Sequence, residues 1–253
     1  MHTVIQGKMY REIIAPKIRA GIEIGSLTTF YSLENIALGD ARYTKELTTK
    51  FGKETTELTA SIKLPDATFR FTEIETNASR ELSIVILDTS VLMDAVLRFT
   101  FPVELVDCVL MDGKEVKWAR KNRYHQKTCP EIEIRLKTGD YLKFKMYANN
   151  LPANMELLGY VRDEPTKWVM HIRARAKIPD VVLFRGCHAW WNKPAPMFFQ
   201  KILKKFPSLL QKTLYIRERI SQRIPFQTNG AVLLNKGTNF KLGVSWTRTN
   251  HAK

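Results

Sequence analysis

Glu131-Ile132-Glu133-Ile134-Arg135-Leu136-Lys137-Thr138-Gly139-Asp140-Tyr141-Leu142-Lys143-Phe144-Lys145-Met146-Tyr147 sets the fold class of this 253-residue chain. Before Gly139 the residues alternate with period two. Ile132, Ile134 and Leu136 share one strand face, and Glu131, Glu133, Arg135 and Lys137 share the other. Thr138-Gly139-Asp140 carries turn chemistry, and the partner strand returns from Tyr141. The segment reads as a β-hairpin.

The same signal recurs on both sides. Asp112-Gly113 joins Val109-Leu110-Met111 to Val116-Lys117-Trp118 as a second hairpin, because glycine accepts the positive φ of a tight turn. Further strands are expected at 58–64, 68–76, 82–87, 96–101 and 168–178. Short β runs separated by Pro, Gly, Asn and Asp argue for an antiparallel sandwich or open barrel. Near the end, 231–234, the turn Asn235-Lys236-Gly237 and an alternating run through Phe240, Leu242, Val244 and Trp246 read as a closing hairpin.

Between these β regions the period changes. Over 197–206, Phe198, Phe199, Ile202, Leu203 and Phe206 fill one helical arc and Lys201, Lys204 and Lys205 the other, so the apolar arc is expected to cover the sheet. Pro207 ends or kinks that helix, and Leu209, Thr213, Ile216 and Ile220 make a second stripe. The expected class is therefore α+β and β-rich: an antiparallel sandwich or open barrel with a basic amphipathic helix pair inserted before a C-terminal hairpin.

A hydrophobic fraction of 44% over this length builds a sizeable core. One domain over 1–253 is the first reading. The other divides the chain near Pro179-Asp180 into a charge-balanced β part, 1–180, and a basic helix-plus-hairpin part, 181–253. No apolar run approaches the roughly 20 residues needed to cross a bilayer, and the first twenty residues do not read as a secretory signal. Cys108, Cys129 and Cys187 cannot all pair within the chain, which fits an intracellular, reducing compartment. The triplet Asn77-Ala78-Ser79 is then an accidental glycosylation match.

Charge is distributed unevenly. The chain carries a formal +15, yet residues 1–180 hold 27 Lys plus Arg against 24 Asp plus Glu, and residues 181–253 hold 13 against Glu218 alone. Such asymmetry points to a polyanionic partner. In the strand expected at 168–178, His171, Arg173, Arg175 and Lys177 share a face opposite Ile172, Ala174 and Ala176. Side chains two apart stand roughly 6.5–7 Å from one another, near the phosphate spacing of an extended single strand. Beyond it, Arg185, Trp190, Trp191 and Lys193 lie in an aromatic loop where indole faces could stack on bases. Together with Lys201, Lys204 and Lys205 these form the expected contact surface. The leading functional expectation is a non-enzymatic polyanion-binding protein, with RNA or single-stranded DNA as partner. A second is peripheral docking to an anionic membrane surface through the 197–206 helix. A third is an enzyme acting on an acidic carbohydrate in a cleft between β elements.

Catalytic and cofactor signatures are sparse. There is no phosphate-cradling glycine loop, no paired histidines at helical spacing and no Cys-x-x-Cys, so neither a cofactor nor a metal is expected. The weak candidates for chemistry are His171, His188 beside Cys187, and the strand-face pair Glu73 and Glu75. The run Ile84-Val85-Ile86-Leu87-Asp88-Thr89-Ser90-Val91-Leu92-Met93-Asp94 resembles the first strand of PIN-type ribonucleases, whose leading Asp helps bind a divalent metal. That likeness implies an alternating helix and parallel-strand fold, whereas hairpins follow here.

Overall fold

The computed structural model describes residues 2–5, 8–11, 17–27, 30–33, 43–53, 55–118, 124–127, 131–186, 192–206 and 226–249. Strands are numbered in chain order. A nine-stranded sheet runs β11 (Lys114–Val116), β10 (Val106–Met111), β13 (Glu131–Leu136), β14 (Tyr141–Asn149), β20 (Asn239–Thr249), β8 (Ser79–Asp88), β7 (Ala67–Thr76), β6 (Thr55–Leu64), β5 (Thr44–Phe51). A second runs β12 (Tyr124–Lys127), β15 (Met155–Asp163), β16 (Lys167–Ala176), β9 (Ser90–Pro102), β19 (Phe226–Leu234), β17 (Val181–Gly186), β18 (Asn192–Pro194). It is completed by β3 (Arg19–Ser26), which pairs with β9 and with β4 (Phe30–Leu33). A separate hairpin joins β1 (His2–Ile5) to β2 (Lys8–Arg11), and one helix, α1 (Met197–Lys205), follows β18.

Period-two alternation explains the layering. The first sheet turns inward Leu58, Ala60, Ile62, Phe69, Phe71, Leu82, Ile84, Ile132, Ile134, Leu142 and Phe144. The second answers with Ile22, Ile24, Leu97, Phe99, Phe101, Met170, Ile172 and Ala174, and all of them belong to one buried cluster. Rings from opposite sheets meet there: Phe99 lies 5.7 Å from Phe144 and 6.1 Å from Trp246, and Phe101 lies 5.9 Å from Phe144. Burying such rings supplies much of the driving force for the sandwich. The hairpin around Gly139 (φ 92°) and the one at Asp112-Gly113 (φ 52° and 69°) form as the sequence implies.

Two expectations are corrected, and one resemblance is not sustained. The fold is all-β rather than α+β: among the described residues there is one nine-residue helix and no helix pair, and the stripe from Leu209 to Ile220 lies outside them. The closing strands are not a hairpin. β19 pairs with β17 and β9 in the second sheet, while β20 pairs with β14 and β8 in the first, so 235–238 arches across the core. Alternation cannot distinguish these outcomes, because a hairpin and an arch both bury every second residue. Finally, the 84–94 run is an antiparallel arch, with β8 between β7 and β20 in one sheet and β9 in the other. Asp88 sits exposed at its bend with Oδ1 accepting from the Thr89 N–H, so the ribonuclease topology is absent.

The helix also packs differently. Leu203 turns inward and is 2% exposed, but Phe198 is 74% exposed and Met197 and Phe206 also face out, so the apolar arc does not cover the sheet. Gln200 ties the helix to its neighbours, accepting from the Val182 N–H at 3.3 Å and donating to the Ala195 carbonyl at 2.8 Å. No described helix is long and apolar enough to cross a membrane.

Candidate active site

Strands β15, β16, β9 and β3 lie side by side, and the residues not used by the core occupy their other face. Register places them in rows: Arg162, Val169, Thr100, Arg19; then Tyr160, His171, Arg98, Gly21; then Leu158, Arg173, Val96, Glu23; then Glu156, Arg175, Asp94, Gly25. Rows two residues apart stand roughly 7 Å from one another. This face is rich in charge and nevertheless buried, with Asp94, Arg98, His171 and Arg175 all under 9% exposed. Charged groups are rarely buried to this extent unless they are paired or perform chemistry.

Most are paired. Arg173 Nη2 lies 2.7 Å from Asp94 Oδ2, while Asp94 Oδ1 accepts from the Gly25 N–H at 3.0 Å. Arg175 Nε donates to Glu156 Oε1 at 3.0 Å, and Arg162 pairs with Glu164. A Cβ at position 25 would come 2.5 Å from Asp94 Oδ1, so glycine is what lets that carboxylate approach β3.

Glu23 and His171 are arranged differently. Glu23 Oε1 is 3.4 Å from Arg98 Nε, and its Oε2 is 3.7 Å from His171 Nε2. His171 Nε2 is buried without a hydrogen-bond partner, and the imidazole meets the Tyr160 ring edge-on at 4.5 Å. Burial raises the Glu23 carboxyl above its ordinary value, although the Arg98 charge opposes it. Burial, followed by the positive charges of Arg98, Arg162 and Arg173, holds His171 well below its ordinary value. A carboxyl inclined to keep its proton thus faces an imidazole inclined to stay neutral, across the strand that separates β3 from β16.

A cavity of about 390 Å³ lies at the Arg19 end of this face, and neither Glu23 nor His171 lines it. Its lining includes Lys17, Arg19, Gly21, Arg98, Thr100, Glu104, Thr166 and Lys167. Arg98 thus lines the cavity and also reaches Glu23. Among the described residues, no group of three or more His, Cys, Asp and Glu side chains could hold a metal ion.

Two cations of the expected polyanion surface, Arg173 and Arg175, are not available to a partner. Arg173 and Arg175 share a face of β16 as the alternation implies, but carboxylates from β9 and β15 neutralise them, and the neighbouring strands bury them. A phosphate backbone cannot track cations that are already paired inside the protein, so the nucleic-acid reading is overturned. Lys177 is exposed beyond the end of β16, and Lys201 and Lys205 are exposed on α1. Arg185 lies on β17 and Lys193 on β18, where Phe184 is opposite Lys193. The side chains of Arg185, Lys193 and Lys204 lie outside the described residues, as do Trp190, Trp191, Cys187 and His188 altogether. Glu73 is not half of an open carboxylate pair: it is 1% exposed and bound to Arg80, whose Nε is also 3.9 Å from Glu75.

Among the described residues, His171 is therefore the one early candidate for chemistry that stands in this site. Glu23, Arg98 and Asp94 were not singled out, though a signal existed. Ile18, Ala20, Ile22 and Ile24 alternate with Arg19, Gly21, Glu23 and Gly25, placing a lone carboxylate between glycines on a strand face. Asp94 and Arg98 likewise interrupt an otherwise apolar strand on one side.

No protein-family model matches the chain, and no curated protein matches it. Among solved structures, it is similar to one from Escherichia coli K12 named "Putative aldose 1-epimerase". The two share 10% identity at a TM-score of 0.44, over 97% of this chain and 78% of that one. No residue role is transferred from this likeness.

Proposed function

We propose that this chain is an enzyme that moves protons on a carbohydrate, with Glu23 as general acid and His171 as general base. The observation that carries the reading is the 3.7 Å approach of two groups whose proton affinities are displaced in opposite directions. Paired groups with diverging pKa values are a mark of acid–base sites.

The number of available carboxylates selects the reaction class. Glycoside hydrolysis ordinarily needs two carboxyl groups flanking the bond. Here both oxygens of Asp94 are engaged, by Arg173 and by the Gly25 N–H, and Glu104 at the cavity faces Lys17 at 3.7 Å, so Glu23 with His171 is taken as the reacting pair. One acid and one base suffice to open and reclose a sugar hemiacetal. His171 takes the proton of the anomeric hydroxyl as Glu23 protonates the ring oxygen. The ring C–O bond breaks, a carbonyl forms, and rotation about the adjacent C–C bond exposes its other face. Closure runs the same transfers backwards, returning both side chains to their starting states without a cofactor. Tyr160 adds an aromatic edge beside the base, and the surrounding Arg, Asp and Thr side chains are suited to sugar hydroxyls.

The test is anomer exchange followed by NMR on glucose, glucose 6-phosphate and glucuronate. Acceleration above the buffer rate, falling about 10²–10⁴-fold in Glu23→Gln, is expected for loss of a general acid. Exchange no faster than buffer for all three sugars overturns the proposal.

A further inference from the structure

The cavity that shares Arg98 with the Glu23 and His171 site is unevenly charged: Lys17, Arg19, Arg98 and Lys167 line it with one carboxylate, Glu104. The carboxylates nearest the two lysines hold them loosely. Lys17 is 3.7 Å from Glu104 and Lys167 is 3.5 Å from Glu164, in pairs whose lysines are 64% and 37% exposed. Such exposed pairs contribute little and can be exchanged for a ligand. Arg98 Nε is 3.4 Å from Glu23 Oε1, which ties the cavity wall to the acid–base pair.

Backbone geometry marks the same spot. Lys17 holds φ at 68°, in the left-handed region that non-glycine residues seldom adopt, and such conformations cluster at functional sites. Lys17 thus lines the cavity from a sparsely populated backbone conformation.

We infer that Lys17, Arg19 and Lys167 form a subsite for an anionic substituent, a phosphate ester or a carboxylate, on the carbon of the sugar distal to its anomeric centre. This rests on the acid–base reading for the identity of the sugar but on the cavity for its charge. The row holding Arg19 and Thr100 is two residues from the row holding Arg98 and His171. That offset puts the cations roughly 7 Å from the His171 row, with Glu23 one row farther along β3. Thr100 and Thr166 supply neutral hydroxyls beside the cations.

Calorimetry on Glu23→Gln, in which turnover is slowed, tests the subsite with three probes: glucose, glucose 6-phosphate and glucuronate. At least one anionic sugar is expected to bind about tenfold or more tightly than glucose, the scale of one charge-assisted hydrogen bond. That advantage is expected to shrink with added salt and to fall to within about threefold when Lys17→Gln and Arg19→Gln are added, with the thermal melt confirming the fold. The phosphate and carboxylate arms identify which anion is preferred. Equal affinity for all three probes, no binding of any, or a preference untouched by the Lys17 and Arg19 changes overturns the subsite. Anomer exchange by the unmutated chain separates the two claims. Turnover without anion preference sinks the subsite and leaves the acid–base reading. Preferential binding without turnover does the reverse.

Discussion

Arg80 Nη1, carried by the first sheet, donates a 3.0 Å hydrogen bond to the carbonyl oxygen of Arg98 in the second. Arg80 is 1% exposed, is paired with Glu73, and its guanidinium lies 5.4 Å above the Phe99 ring centroid. A buried cation therefore links the core to the backbone of the residue that, on the opposite face of β9, approaches Glu23. Stability and site geometry meet at this one guanidinium.

Removing one member of that pair strands the other charge in the core. Arg80→Ala or Glu73→Ala is expected to cost about 3–5 kcal/mol, read as a lower urea midpoint with an unchanged slope. Arg80→Met combined with Glu73→Leu is expected to recover most of that loss, since replacing both partners removes the uncompensated charge. A double change as unstable as either single one would show that the Arg98 carbonyl contact is the larger element.

Glu23 should reduce stability at neutral pH. Its folded pKa is raised, so as pH climbs from the ordinary carboxylate range through that value the folded chain holds a proton the unfolded chain has lost, and stability declines. Glu23→Gln is accordingly expected to raise the melting temperature at pH 7 and to leave it nearly unchanged at pH 4. No gain at pH 7 would argue that Arg98 fully compensates the carboxylate.

His171 gives the opposite dependence. Its folded pKa lies well below the ordinary value near 6.5, so as pH falls through that range the unfolded chain takes a proton that the folded chain refuses, and stability is lost. His171→Gln is expected to flatten the melting temperature between pH 7 and pH 5. A profile as steep as that of the unmutated chain would place the responsible group elsewhere.

The same two groups shape the rate. Anomer exchange is expected to fall on the acid side as His171 gains a proton and on the alkaline side as Glu23 loses one, with the two apparent values belonging to the coupled pair. In Glu23→Gln the alkaline limb should vanish. Its persistence would assign that limb to another group.

Gly25→Ala probes the packing that engages Asp94. The added methyl would come within 2.5 Å of Asp94 Oδ1, forcing the carboxylate off the Gly25 N–H. A loss of about 1–3 kcal/mol is expected, together with a changed His171 chemical shift as Arg173 is displaced. A variant with both quantities unchanged would show that this corner yields without cost.

Much of the fold was legible in sequence because alternation is a local property. The strands expected at 58–64, 68–76, 82–87, 96–101 and 168–178 overlap β6, β7, β8, β9 and β16 respectively, although β6 and β8 begin three residues earlier than expected and β9 six. The turns at Gly113 and Gly139 were readable because left-handed backbone selects glycine. The separation of His171, Arg173 and Arg175 from Ile172 and Ala174 was equally readable, since successive side chains on a strand point to opposite faces.

Which face was buried, and beside what, was not. Arg173 looked like an exposed cation until Asp94, seventy-nine positions earlier, came to lie against it, and Glu23 meets His171 across 148 residues of chain. Thus the amino-acid order alone determined the strands, their turns and the two-sidedness of each strand. Tertiary structure alone decided that 235–238 is an arch, that the cationic ladder is neutralised, and that a carboxyl and an imidazole share one site. The reason is physical: backbone preference and periodicity act over a few residues, whereas ion pairing, desolvation and strand order depend on partners that folding brings together from distant parts of the chain.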